Sequence, residues 1–314
     1  MKAKKTGLDF DAVEKQILCE VAGLSGVPEG AYNFRLNGES VGRRSTANIE
    51  VSGKQDGTGL DIRIKPGTKS EVVHIPVIIS DTGLKEVVYN DFYVGEGAEV
   101  LIVAGCGIYN CGGVDAVHNG VHRFFVEKGA KVKYVEKHYG FGPGQGGKIL
   151  NPTTELFLAD RSEAWLEMEQ IRGVDSTIRE TKAVLQDGAK IVVKERLLTH
   201  GRQTAKSSYL IKLKGQDATA EVVARSVAQD YSRQKFSSRI EGNGRCRGHS
   251  ACDALIMDSA QVLATPALNA KSVEAELVHE AAIGRIAGEQ LTKLMTLGLD
   301  AKAAESQIIN GFLK

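Results

Sequence analysis

Three stretches of this chain follow one scheme: a turn, a small residue, then a run rich in β-branched side chains. They are "GEGAEVLIVAG" (95–105), "EKGAKVKYVEK" (127–137) and "QDGAKIVVKER" (186–196). Looser copies are "DRSEAWLEMEQ" (160–170), "GQDATAEVVAR" (215–225) and "MDSAQVLATPA" (257–267). Ala98 and Ala130 are 32 residues apart, Ala189 and Ala218 are 29 apart, so the period drifts and is not a strict hexapeptide repeat. Such a scheme is what the coils of a β-helix need, because one coil cannot bury its own apolar face and must stack on the next. A β-sandwich of equal length is the alternative architecture.

The flanks have a different period. Residues 9–22 place Phe10, Val13, Ile17 and Val21 at helical spacing, which predicts an amphipathic helix stopped near Gly23 and Pro28. From about residue 46 the period is two, as in "TANIEVSG", "GLDIRIKPG", "EVVHIPVII" and "EVLIVAG". Residues 286–299 and 300–313 return to the helical period, the second capped by Asp300. Leu291, Leu294 and Met295 form one apolar stripe, and Ile308, Ile309 and Phe312 another. The expected organisation is a helical or mixed segment over 1–45, a β-core over 46–286 and a helical segment over 287–314. Glycine is abundant at 35 residues and proline scarce at 6, which fits tight turns between regular elements rather than a disordered linker.

Lys+Arg number 40 against 39 Asp+Glu, a net charge of +1 that makes no case for nucleic acid or an anionic membrane as main partner. The start "MKAKKTGLDF" is basic, but no apolar stretch follows it and no 18-residue apolar run occurs, so a cytoplasmic protein without a span is expected. An odd set of five cysteines (19, 106, 111, 246 and 252) points to thiol or metal chemistry rather than a disulfide framework.

Two segments concentrate such residues. "GRCRGHSACDAL" (244–255) holds Cys246, His249 and Cys252, with Cys252 expected at the mouth of a strand. The C-x5-C and H-x2-C spacings match no common zinc module, so Cys246 reads as a small core residue and His249 as a surface imidazole. "GCGIYNCGGVDAVHNGVHRFFV" (105–126) holds Cys106, Cys111, His118 and His122, and the histidine pair is expected in a glycine-bounded turn. In "AELVHEAAIGRI" (275–286) His279 and Glu280 are neighbours on a predicted strand, where they point to opposite faces. "KHYGFGPGQGGK" (137–148) reads as a flexible glycine-rich loop and has neither a P-loop nor a dinucleotide fingerprint.

Together "GCGIYNCG…HNGVHRFFVEKGAKVKYVEKHYG", "GRCRGHSACDALIMD", "ELVHEAAIGRIAGEQL" and "IINGFLK" resemble the SufB/SufD family, the scaffold proteins of SUF iron–sulfur cluster assembly. The resemblance runs from about residue 70 to the end. It implies a mainly β fold, a right-handed parallel β-helix with an N-terminal helix and a small C-terminal helical segment. It also implies a non-enzymatic scaffold that works with the ABC-type ATPase SufC, docked on the C-terminal helices and carrying the nucleotide site this chain lacks. Cys252 is similar in context to the SufB cysteine proposed to receive sulfur and hold the nascent cluster. Glu280 matches a further proposed SufB ligand. His279 matches both the SufB histidine before it and a SufD histidine thought to face the SufB cysteine.

Carrying all three, the chain resembles a compact form acting as a homodimer, or with a SufB or SufD paralogue. It would be fed by a cysteine desulfurase or sulfur carrier and hold only a transient cluster. Cys246, His249, Cys106, Cys111, His118 and His122 are secondary candidates. The N-terminal region is shorter than in the usual SufB and lacks its cysteine-rich motif. Two other readings are a β-helix hydrolase or lyase using Glu280 and His279, and a β-helix adaptor with inert cysteines.

Overall fold

Buried and exposed residues alternate along most strands, and the buried phase of each strand stacks on the buried phase of the one before it. The computed structural model describes residues 8–286 and 288–314; the basic start over 1–7 and Ala287, the first residue of the expected C-terminal segment, lie outside the described residues. The chain winds into a parallel β-solenoid of about eight turns with two long sheets. Strands Glu99–Tyr109, Lys131–Phe141, Glu163–Arg172, Lys190–Thr199, Ala218–Ala228, Cys246–Ile256 and Ala275–Gly284 run parallel in the first sheet. The second sheet takes the intervening strands: Lys85–Val94, Ala116–Val126, the broken pair Lys148–Leu150 and Thr153–Leu158, Ser176–Leu185, Thr204–Leu213, Arg233–Gly242 and Gln261–Ala270.

The corners explain the sequence scheme. Gly97, Gly129, Arg161, Gly188 and Asp217 all have φ between 56° and 65°. The small residue that follows each one (Ala98, Ala130, Ser162, Ala189 and Ala218) is completely buried. In the second of these corners the Ala130 N–H donates to the Glu127 carbonyl at 3.0 Å, closing a type II turn around Gly129. Only a small side chain fits beneath such a corner when coils stack. The drift in period is a real change of coil: Glu99, Lys131 and Glu163 pair at 32-residue intervals, then Glu163 pairs with Lys190 after 27. The longer coil carries the loop 142–147, where the next has only the short turn 173–175.

Helix α1 (Ala12–Ala22) starts at a capping box, with Asp11 Oδ1 accepting from Glu14 N at 3.0 Å and Glu14 Oε2 from Asp11 N at 2.9 Å. It buries Ile17, Leu18 and Val21 on the outer face of the first sheet. Gly105 and Gly107 permit that approach, since a Cβ at Gly105 would lie 2.2 Å from the Val21 carbonyl oxygen. Helix α3 (Ala301–Phe312), capped by Asp300, packs Ile309 and Leu313 against Val227, with Leu198 and Leu255 alongside. Helix α2 (Gly288–Thr296) buries no residue. No helix among the described residues is long and apolar enough to cross a membrane.

The two ends differ. Antiparallel strands Glu39–Arg44 and Ile49–Gly53 lie outermost at the N-terminal end. At the other end Gln261–Ala270 and Ala275–Gly284 each have one neighbour and an open edge. Inward-phase residues there stay uncovered: Leu268 is 39% exposed and Ile283 41%.

Substituting Gly105 by Ala should lower stability in urea by about 1–3 kcal/mol through overpacking against α1. Gly113→Ala, where an added Cβ meets nothing within 4 Å, should stay within about 0.5 kcal/mol of wild type.

Candidate functional site

Because the strands stack in register, the solenoid interior is organised in rows along its axis. One row of the first sheet reads Ala104, Glu136, Met168, Glu195, Ala224, Cys252 and Ala281. A second reads Cys106, His138, Gln170, Leu197, Ser226, Ala254 and Ile283. A third ends in Ser250 and His279. His118 and His122 face these rows from the inward phase of Ala116–Val126.

Charge is buried in the middle of this interior. Arg179, in the inward phase of Ser176–Leu185 and 2% exposed, donates to Glu136 from Nη1, reaches Glu195 Oε1 from Nε at 3.3 Å, and lies 3.5 Å from His138 Nδ1. Tyr134 donates to Glu136 Oε1 at 2.9 Å and Ser207 to Glu195 Oε1 at 2.6 Å. Burial alone would push the Glu136 carboxyl up, but the Arg179 charge and then His138 outweigh it and hold it well below the usual carboxylate range. At one side His118 Nδ1 meets Glu86 Oε1 at 2.8 Å, and Glu86 also accepts from Arg35 at 2.8 Å. His122 lacks a partner at Nδ1, and burial carries its imidazole down to about 4.

Cys252 is 2% exposed and lies mid-strand in Cys246–Ile256, not at a strand mouth, facing inward one coil from the open end. Burial, then the charges of Glu195 and Asp253, pushes its thiol up to about 11. His279 sits on the terminal strand in the inward phase, one strand over and two positions before the register partner of Cys252. Both its ring nitrogens are buried without partners. Glu280 points the other way. It stands on the outer face, its side chain 70% exposed, with His249 Nε2 3.7 Å from its Oε2. The structure therefore brings Cys252 and His279 to one interior end and sets Glu280 beside His249 outside it. Cys246 is buried on the inward phase near the opposite end of its strand. No group of three His, Cys, Asp or Glu side chains among the described residues can hold a metal ion. One chain thus supplies a thiol and an imidazole at an open end, too few donors to complete an iron–sulfur ligand set.

Elsewhere the sequence expectations need correction. His118 and His122 lie on a regular strand, in its buried phase, rather than in a glycine-bounded turn. Cys106 is buried beside His138, while Cys111 is exposed and 3.9 Å from Thr82 Oγ1. The segment 137–148 is not a free loop. Residues to 141 continue a strand, and the Gly144 and Gly146 N–H groups donate to the carbonyls of Asn110 and Gly112 at 3.0 and 2.9 Å. Its glycines serve close approach: a Cβ at Gly144 would lie 2.4 Å from the Gly112 oxygen.

The charge cluster itself escaped the sequence reading. Its signal was present, since Glu136, Arg179 and Glu195 occupy the apolar phase of "KVKYVEKHYG", "STIRETKAVL" and "KIVVKERLLT".

Arg179→Met should cost about 3–5 kcal/mol in urea unfolding, because it leaves Glu136 and Glu195 buried without a cation. His122 has a lower pKa folded than unfolded, so the unfolded chain binds the extra proton and stability falls as pH drops from about 6.5 towards 4. That fall amounts to at most about 3 kcal/mol from this one group, and His122→Leu should show a correspondingly shallower decline in the same window.

The family model of the SUF system FeS cluster assembly SufBD core domain matches residues 85–312, which span the solenoid coils and the C-terminal helices. An iron-sulfur cluster assembly SufBD family protein of Methanothermobacter thermautotrophicus is 27% identical over 86% of this chain, which covers 65% of that relative's length. A SufBD family protein of Methanocaldococcus jannaschii is 26% identical over 84% of each chain. One from Pyrococcus horikoshii is 26% identical over 99% of this chain and 91% of its own. With the family model matched across most of its length and the β-solenoid that the resemblance implied, this chain belongs to the SufBD family.

Proposed function

We propose that the chain is a scaffold for iron–sulfur cluster assembly, accepting sulfur and iron at Cys252 and passing the nascent cluster on. The observation that carries this reading is the half-site at the open end of the solenoid: a buried thiol and an unpartnered imidazole beside two free strand edges and an uncovered apolar face. Exposed edges and uncapped repeats call for a partner surface. A second copy, or a SufB or SufD paralogue, docked end to end would cover that face and add its own cysteine and histidine. Glu280 and His249, on the rim of the same end, are in reach of the partner rather than of their own Cys252.

The donor set suits a cluster held in transit. One thiolate per chain with imidazole or carboxylate ligands binds iron–sulfur less firmly than four cysteines. A thiol held protonated by burial is also a poor nucleophile and ligand until the end opens. A partner ABC-type ATPase supplies that motion, docked on α2. The apolar residues Met295, Leu297 and Leu299 at the end of α2 and just beyond are 44%, 75% and 37% exposed, and they support such a contact. A cysteine desulfurase or sulfur carrier delivers the sulfur. The rival acid–base pairing of His279 with Glu280 has no common pocket, because the two face opposite sides of the strand.

Anaerobic reconstitution with iron and sulfide should give a cluster absorption band with wild type and none with Cys252→Ser; a band of equal intensity in both sinks the assignment. The Leu294→Glu/Met295→Glu variant should keep the reconstituted band while losing co-purification with the ATPase and ATP-stimulated assembly. If the ATPase still binds it, α2 is not the docking element.

A further inference from the structure

Helices α1 and α3 both pack on the first sheet, and among the described residues nothing covers the outer face of the second sheet over its last coils. Register shows what that bare face carries. Across Ser176–Leu185, Thr204–Leu213, Arg233–Gly242 and Gln261–Ala270 the outward phase holds six cations: Lys182, Lys206, Lys212, Arg233, Lys235 and Arg239. It holds two carboxylates, Glu180 and Glu241. The outer face of the first sheet over the same coils is nearly balanced, with Glu221, Asp253, Glu276 and Glu280 set among its cations. Charge that sums to only +1 over the chain is thus segregated onto one sheet.

Three of these cations have no acidic partner. Lys182 reaches Glu155 and Glu180, Arg239 reaches Glu241, and Lys212 faces Glu241 in register. Lys206, Arg233 and Lys235 are exposed and enter no ion pair among the described residues. Lys206 and Lys235 are moreover direct cross-strand neighbours, an arrangement that repels and lowers stability by itself. Either lysine replaced by a carboxylate would pair with the other. Their like charge therefore costs the fold stability that one substitution could restore.

We propose that this face docks an acidic protein partner, transiently and independently of the cluster site. Four strands of ten residues give a plane of about 15 by 30 Å, the size of a weak, transient interface rather than an obligate one. Between the cations run Ser208, Ser237 and Thr265, hydroxyls that can meet carboxylates, and beside Lys235 lies Leu263, 57% exposed, as an apolar anchor. An exposed leucine and a row of hydroxyls among the cations suit a folded acidic protein surface better than a phosphate backbone or a lipid headgroup layer. Electrostatic steering onto such a face gives fast, salt-sensitive encounter, which is what a protein repeatedly visited by a donor or acceptor needs.

The test uses the full-length chain and a fluorescein-labelled poly-glutamate peptide as probe, with binding followed by anisotropy at low and physiological salt. Lys206→Glu should weaken binding about tenfold or more and flatten its salt dependence, and should raise the thermal midpoint because it now pairs with Lys235. Lys128→Glu, a reversal of an exposed cation on a corner away from this face, should leave binding unchanged. Arg233→Glu is the second variant, and should weaken binding likewise. Equal binding by wild type and both face variants overturns the proposal. So does an equal loss in Lys128→Glu, which would mean general charge attraction. Tighter binding of duplex DNA or of phosphatidylserine vesicles than of the peptide, lost in Lys206→Glu, overturns the assignment to an acidic protein.

Discussion

The parallel ladders that join each coil to the next in register are what the rest of this structure depends on. From Glu99 to Gly284 nearly every residue of a first-sheet strand is paired with a fixed partner one coil on. In a strand the side-chain period is two, so a slip of one residue anywhere would turn a whole row from the interior to the solvent. The rows follow from this, and with them the placement of every functional candidate. Cys252 is inward because Glu195 and Ala224 are, and Glu280 is outward because His279 is not. The same constraint forces small residues under the corners, where stacked turns leave no room.

The interior that this register builds is more polar than a solenoid needs for stability. A buried arginine between two glutamates is at best a modest net gain over well-packed apolar side chains, whereas removal of one partner is costly. The pairing has a local effect on chemistry. Arg179 holds Glu136 well below the usual carboxylate range, while Glu195, in the same row as Cys252 and two strand spacings or about 10 Å away, adds to burial in raising the thiol and keeping it protonated. The Cys252 thiol is thus kept protonated within a closed coil, one coil from the open end. Stability and restraint of the thiol come from one network.

Much of this was legible in the residues. The turn–small–strand scheme, the N-terminal amphipathic helix and the two C-terminal helices correspond to elements of the fold, and neighbouring His279 and Glu280 do face opposite ways. Cys252 looks like a strand mouth because small Ser250 and Ala251 precede it and the apolar run comes only after it. The His118/His122 pair misleads for a different reason: local rules read glycine as a turn, and Gly105, Gly107, Gly112, Gly113 and Gly120 around the pair make that strand look like one. Several of those glycines instead mark close approach: Gly105 and Gly107 face α1, and Gly120 leaves room for the two imidazoles on its own strand. The glycines of 142–147 were misread as freedom, although they allow that segment to lie flat on the backbone of 110–114. The buried charges were overlooked because single charged residues in an apolar phase look like exceptions until several rows are aligned.

By itself the sequence determined the kind of coil, the places where the chain leaves and returns to helix, and the residue types available for sulfur and iron. These are local properties, set by side-chain size at corners and by a period of two or of 3.6. Only the tertiary structure decided which candidates meet. Cys252 and His279 share an interior end because the terminal strand stacks on Cys246–Ile256 in one register; Glu280, one residue on, is sent to the other face by the pleat. That these candidates stand at an uncapped end is likewise a property of the stack and not of any segment. It depends on which coil is last.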